Sequence, residues 1–378
     1  MERSNSVRRA VVQGLLCTTA VGFASRSIAA YSGRSKAFDA VLSKEPLPAG
    51  GPPNFRTLRE ALAAAPDAST QPYRIHVPTG TWREHNFITK PNIHLVGDGQ
   101  TASIIVYDDR AHAQRPENEP AATLVVKAPD FRAEHLMIAN DFDYPNNMPA
   151  EVPYDRTGAS GSQATAVFLT TGSDRAVFDN VAITGWQDTL YTDVARSYFR
   201  HCLISGCVDF IYGEGIVVFD RCEILSRTRP GKDFHGFIAA PDTNRTQRFG
   251  LIFLDCQLKK DHDMLAHTVA LGRPWRHTMN FPDGRYGNPD AIPQAAFLRC
   301  WMDDHIVPEA WYPMHYNNRE GQRVMYQPED ARLFEYKSHG PGAGSPSARR
   351  RQLSDREARD YRPEIILDGW DPGKRRFR

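Results

Sequence analysis

A six-residue unit opening on phenylalanine recurs five times in the chain: FDNVAI from Phe178, FRHCLI from Phe199, FDRCEI from Phe219, FLDCQL from Phe253 and FLRCWM from Phe297. Successive phenylalanines lie 21, 20, 34 and 44 residues apart. A period near 20, rich in β-branched and aromatic residues and broken by polar turns, predicts one coil of a parallel β-helix per repeat; the longer steps then hold loops thrown out from the stack. Alternation within each unit fits strands better than helices. The stretches YRIHVPTGTWREHNFITKPNIHLVGDG at 73–99 and TLVVKAPDFRAEHLMIAND at 123–141 have the same strand-turn-strand texture, which places the expected start of the solenoid near Tyr73.

No Pro/Gly/Ser linker splits the repeats, so the 378 residues read as one elongated domain. Its expected limits are 54–378, after a lead-in at 30–53, with the C-terminal tail packing on the solenoid. In that tail, Ser354 and Glu357 have capping-box spacing for a short helix through Ala358, and Trp370 is expected to dock. The hydrophobic fraction of 41% is ordinary for a chain that buries a core, and the formal net charge of +1 leaves no basic footprint for nucleic acid.

Residues 1–29 carry Arg3, Arg8, Arg9 and Arg26 against Glu2, then the weakly apolar run AVVQGLLCTTAVGFA, then small residues. This is the layout of a cleavable bacterial export signal ending near Ala29 or Ala30, with a secreted or periplasmic product. The run is short and interrupted by Gln13, so no membrane span is expected from it. VRRAVVQ leaves both the general and the twin-arginine route open. A tail on a cytosolic protein is the competing reading.

Cys202, Cys222, Cys256 and Cys300 all occupy the fourth position of the repeat. Equivalent positions on neighbouring coils sit about 4.8 Å apart, inside the Cα separation of a disulfide, so Cys202 and Cys222 are the expected bridge. A stack of buried thiols is the alternative. The sequence has no C-x-x-C pair or His/Cys cluster of a metal site, and no metal or cofactor is expected. Gly97, Asp98 and Gly99 are followed by a strand rather than the helix that a dinucleotide loop requires, and G-x-S-x-G, H-E-x-x-H and G-x-x-x-x-G-K are absent.

The chemistry therefore falls to carboxylates. Asp188 in GWQDTLY and Asp209 in CVDFIYG each lie ten residues after a repeat phenylalanine, Phe178 and Phe199, and so belong on adjacent coils. Two carboxyls held close cannot both ionise easily; one keeps its proton while the other stays charged. Stacked aspartates could also bind calcium or only end a hydrogen-bond ladder. Gln187 and Gln163 add amide donors of the kind that hold a tetrahedral oxyanion, which favours acyl transfer over glycosidic cleavage. Arg273 and Trp275, in LGRPW, supply a permanent cation to keep one aspartate ionised and a flat face for a sugar ring.

SQATAV, GWQDTLY, VDFIYG and LGRPW, in this order, resemble the signature segments of the pectinesterases (pectin methylesterases). DGRYGNPDAIPQAAFL, MDDHI and LFEYKSHGPGAG resemble later portions of bacterial members, extending the likeness from Asn54 to Trp370. The resemblance implies a right-handed single-stranded parallel β-helix that hydrolyses galacturonate methyl esters in pectin to pectate and methanol through an aspartyl acyl-enzyme. It implies Asp209 as nucleophile, Asp188 as general acid and then base, Gln163 and Gln187 as the oxyanion pair, Arg273 as partner of the nucleophile and Trp275 as sugar platform. Thr123, Thr278, Trp311 and Met314 fall in segments that resemble groove-lining positions. Cys207, Trp186 and Tyr212 stand where threonine, tyrosine and phenylalanine are usual, and VPEAWYPM after MDDHI is an insertion. A monomer with a single groove is expected. A related esterase or thioesterase, or a noncatalytic polysaccharide-binding solenoid, is the alternative function.

Overall fold

A computed structural model describes residues 38–48, 50–111, 120–148 and 161–373. The expected export signal at 1–29 and Cys17 lie outside the described residues. Short strands stack into three parallel sheets of eleven, eight and seven strands; through the middle of the stack each coil gives one strand to each sheet in turn, and the first sheet runs on at both ends. This is a parallel β-helix. Among the described residues no helix is long and apolar enough to cross a membrane.

The repeat unit is the corner between the first two sheets. Phe178, Phe199, Phe219, Phe253 and Phe297 pair in register on consecutive strands of the first sheet. Their rings form a ladder at centroid spacings of 4.6, 5.0, 4.6 and 4.2 Å, wholly removed from water. Burial of each ring contributes about 1.5–3 kcal/mol, and stacking adds roughly 0.5–1.5. Two residues after each phenylalanine the backbone turns left-handed, at Asn180, His201, Arg221, Asp255 and Arg299, with φ between 52° and 55°. That bend lets the valine or cysteine at the fourth position and the apolar residue at the sixth enter the core from the second sheet.

Cys202 and Cys222 are free thiols here, so the expected bridge is not formed. Their sulfurs instead donate to the carbonyls of Phe178 and Phe199, at 3.4 Å each. In-register parallel stacking keeps Cβ atoms about one strand spacing apart with parallel vectors, wider than the Cβ separation of about 3.8 Å that a disulfide needs. Cys207, Cys256 and Cys300 are free and buried as well.

The solenoid begins earlier than Tyr73. Ala40–Leu42, inside the expected lead-in, and Asn54–Phe55 join the first sheet and pair ahead of Tyr73–Val77. Their brevity left no alternation to read. Helix α1, Leu58–Ala64, closes that end with Leu58, Ala61 and Leu62 buried. Thr57 and Glu60 form its capping box, and the Glu84 carboxylate accepts from the first two helical N–H groups.

At the other end the chain doubles back over the outer face of the first sheet. Ser354 caps helix α2, Asp355–Ala358, through a capping box with Glu357, and helix α3 spans Pro363–Ile366. Leu353, Tyr361, Ile366 and Leu367 cover Tyr198, Val218, Ile252 and Leu298, with Trp370 packed at the margin. Arg350 anchors the return with a two-pronged pair to Glu335, both bonds 2.8 Å and both side chains nearly inaccessible.

Candidate active site

Asp188 and Asp209 occupy equivalent corners of adjacent coils, where the chain passes from the second sheet to the third. Ala182–Thr184 pairs with Leu203–Gly206 before the corner, and Leu190–Thr192 pairs with Val208–Gly213 after it. Both aspartates take left-handed backbone, φ 60° and 48°, a conformation that aspartate tolerates better than most residues. The register against the following strand, Gly236–Pro241, shifts between Val208 and Ile211, so Asp209 sits on an irregularity that re-aims its side chain. Gly206 makes the close approach possible: a Cβ there would lie 2.6 Å from the Trp186 carbonyl and 2.3 Å from Phe210 Cβ.

Arg273 follows Val269–Gly272, two strands beyond Asp209 in the third sheet. Its Nε donates to Asp209 Oδ1 at 2.9 Å and its Nη2 donates to Oδ2, a bidentate pair. The guanidinium also lies 4.2 Å from the centre of the Phe237 ring, and the Arg273 N–H is held by the Ala239 carbonyl. Asp209 is 7% exposed, so this pair works where water screens little. The Asp188 carboxyl is raised well above the usual carboxylate range, by burial first and then by the charge of Asp209. Arg273 and a hydrogen bond from Gln187 pull the other way without prevailing. One member of the pair is thus tied to a fixed cation, and the other is the carboxyl that holds its proton.

Gln163 and Gln187 meet as a parallel bridge on consecutive coils. Gln163 Oε1 is buried without a hydrogen-bond partner among the described residues, while the Gln187 amide bonds Asp188. Beyond them, Phe168, Tyr191, Tyr212 and Trp275 form a second aromatic ladder on the outer face of the third sheet, with centroids 4.3, 4.9 and 5.8 Å apart. Phe168, Tyr191 and Tyr212 are register partners on consecutive strands. Half-buried rings in a row make a lining for flat, partly apolar ligands such as sugars. Of these rings the sequence pointed to Trp275 alone as a sugar platform; Tyr212 stood out only as a departure from phenylalanine, and Phe168 and Tyr191 carried their signal in the outward position of each third-sheet strand.

The remaining groove candidates divide. Thr278 and Met314 stand exposed and half-buried at the bases of two hairpins, Thr278–Phe281 with Gly284–Gly287 and Met314–Asn317 with Arg323–Tyr326. Arg276 lies over the rings of Tyr316 and Tyr326 and so joins the first hairpin's root to the second. Thr123 and Trp311 require correction. Both are wholly buried: Thr123 donates to the Ala139 carbonyl at 2.8 Å, and Trp311 packs inside against Phe297. Neither presents a surface to a polymer, because the strand position of Thr123 and the inward turn after Val307 direct them to the core.

Sequence reading also missed three titratable groups beside the second ladder. Asp242, almost fully buried, is paired with His277, and Glu214 lies close enough to be affected by both. The Glu214 carboxyl is pushed up to about 7, by burial and then by the charge of Asp242. Among the described residues no group of three or more His, Cys, Asp or Glu side chains is arranged to hold a metal ion.

The pectinesterase family model matches residues 47–360. Pectinesterase A of Dickeya dadantii is 38% identical over 344 residues, covering 89% of this chain and 92% of its own. Pectin methylesterase PemA from Erwinia chrysanthemi superposes with a TM-score of 0.81 at 38% identity, over 89% of this chain and 98% of that one. The pectin methylesterase from Yersinia enterocolitica gives 0.78 at 39% identity, over 84% and 99%. A pectin methylesterase in complex with hexasaccharide VII matches with a TM-score of 0.81 at 38% identity, over 89% and 98%. With a family model spanning most of the chain and relatives above 30% identity along nearly their whole length, this right-handed parallel β-helix belongs to the pectinesterase family.

Proposed function

We propose that the chain is a carboxylic ester hydrolase that removes methyl groups from galacturonate esters in pectin, with Asp209 and Asp188 as the reacting pair. The observation that carries this reading is the asymmetry between two adjacent carboxyls: a bidentate arginine on Asp209, and a proton held on Asp188 by burial and by its neighbour's charge.

The chemistry follows from that asymmetry. The Asp209 carboxylate attacks the ester carbonyl carbon, and the electron pair of the C=O bond moves onto oxygen. Amide N–H groups of Gln163 and Gln187 are the donors available to that oxyanion. As the tetrahedral species collapses, the C–OCH3 bond breaks and Asp188 gives its proton to the departing oxygen, which leaves as methanol. The acyl-enzyme remains on Asp209. Asp188, now a carboxylate, takes one proton from water, whose oxygen attacks the same carbonyl; collapse breaks the bond to Asp209, restores the Asp209 carboxylate and the Asp188 carboxyl, and frees the galacturonic acid, which gives its remaining carboxyl proton to solvent. No redox or metal step enters this balance.

The ladder from Phe168 to Trp275 is the proposed sugar-binding surface, with Thr278 and Met314 on the hairpins beside it. A polymer of this kind is met outside the cytoplasm, in keeping with the export signal read at 1–29, and one groove per chain requires no second copy. The deciding experiment is methanol release from methylated pectin by the purified protein, without added metal. Asp209→Ala should abolish release while leaving the circular dichroism spectrum unchanged. Equal release by wild type and Asp209→Ala would end this reading.

A further inference from the structure

We propose that Arg227 is a positioning residue that holds the corner carrying Gln187 and Asp188 in register with the corner carrying Asp209. The proposal rests on the reading of Asp188 and Asp209 as the reacting pair.

The corner at 185–189 takes left-handed backbone at Asp188, and its backbone groups are pinned one after another by neighbouring coils. Gly185 N–H donates to Ser205 O at 3.1 Å, the Trp186 carbonyl accepts from Cys207 N–H at 2.8 Å and the Gln187 carbonyl accepts from Ala164 N–H at 3.1 Å. Asp188 N–H donates to Val208 O at 3.0 Å, and the Thr189 carbonyl accepts from Ala166 N–H at 2.8 Å. For the Gly185 carbonyl the donor is a side chain: Arg227 Nη1 donates to it at 2.7 Å.

Arg227 comes from an unexpected distance. It follows Glu223–Ser226, which stacks on Leu203–Gly206, which stacks on Ala182–Thr184. The guanidinium therefore reaches back past the coil of Asp209 to the coil of Asp188 and spans both catalytic corners. Its own N–H is fixed to the Gly206 carbonyl at 2.7 Å, on the Asp209 coil. Backbone and side chain of one residue thus tie to the two corners whose spacing the chemistry needs.

A second contact fixes the same turn through its side chain. The Arg227 guanidinium lies 3.5 Å from the centre of the Trp186 ring, and Tyr144 stacks on that indole at 5.5 Å with the planes 12° apart. Trp186, Tyr144 and Cys207 form a small buried cluster of their own, separate from the solenoid core. The guanidinium is half-buried, and a partly desolvated cation over an indole is held more strongly than one exposed at the surface. Trp186 and Cys207 both sit directly at the catalytic corners, the Trp186 carbonyl accepting from Cys207 N–H at 2.8 Å.

The test is steady-state methanol release by Arg227→Met and Arg227→Lys beside wild type and Asp209→Ala, with full kcat and KM and a pH profile for each. A misplacement of the acid by about 1 Å costs on the order of 10²-fold, so Arg227→Met should lower kcat by that order with KM changed less than about twofold. The limb of the kcat profile on the alkaline side should also move, because Asp188 loses its fixed relation to the groups that face it: Asp209, Arg273, Gln187 and Tyr212. Arg227→Lys retains a donor for Gly185 O and should fall between. Wild-type kcat and profile in Arg227→Met, or KM rising with kcat unchanged, would overturn the proposal. If the methionine variant fails to fold, the lysine variant decides: wild-type kcat and limb there would also overturn it. Activity retained in Asp209→Ala would instead remove the reading of the site on which the proposal stands.

Discussion

Replacing Arg273 by methionine keeps most of the side chain's volume and deletes both hydrogen bonds to Asp209. The pair is bidentate and Asp209 is 7% exposed, so the anion left behind has little access to water. Breaking a buried pair by removing one partner costs about 3–5 kcal/mol, which agrees with two charge-assisted bonds at roughly 1.5–3 kcal/mol each. If the whole cost appears in the transition state, kcat/KM falls by roughly 10²–10⁴, at about 1.4 kcal/mol per tenfold. Arg273→Lys keeps the charge but loses the fork and should fall less. The assay is methanol release at fixed pH with methylated pectin, supported by thermal unfolding to show an intact fold. A methionine variant within about fivefold of wild type, while Asp209→Ala is inactive, would refute the claim that the bidentate guanidinium supports the nucleophile.

Other outcomes follow from the same geometry. Asp188→Asn should abolish turnover yet stabilise the fold at higher pH. The Asp188 carboxyl is raised in the fold, so its stability contribution is fully present below the unfolded value near 3.9 and is lost as pH rises through the folded value; melting temperatures of the two proteins should converge near pH 4 and separate by pH 8, and parallel curves would contradict this. Phe219→Ala removes the middle ring of the inner ladder and should cost about 3–5 kcal/mol in urea unfolding, against under about 1 kcal/mol for an exposed side chain such as Leu265; equal costs would dispute the ladder as the core. Truncation after His339 strips Leu353, Tyr361, Ile366 and Leu367 from the first sheet and leaves Glu335 without Arg350; an unchanged melting temperature would deny that docking supports the solenoid.

The aromatic ladder and the coil order were legible because they are periodic. A phenylalanine every 20 or so residues needs only one interior column to satisfy it, and the common offset of Asp188 and Asp209 from Phe178 and Phe199 carries over once those two rings pair. The left-handed bends were not legible: Arg221 and Arg299 share that conformation with Asn180 and Asp255, and arginine gives no local sign of it. Trp311 and Thr123 were misread for a related reason. Their neighbours in sequence resemble groove segments, but inward or outward direction is set by strand register, which one residue of shift reverses.

What the sequence determined alone was the repeat, hence the solenoid, and the residue types gathered near its middle: two aspartates, two glutamines, an arginine and a tryptophan. Tertiary structure decided their inequality. Asp188 and Asp209 look alike along the chain; they differ because a guanidinium 64 residues away in sequence closes on only one of them. It also decided that Cys202 and Cys222 stay thiols, since parallel stacking aligns equivalent side chains without bringing them together. Periodicity fixes which residues share a column, but proton position, pairing and depth depend on groups from several coils converging in space, and no local pattern encodes that convergence.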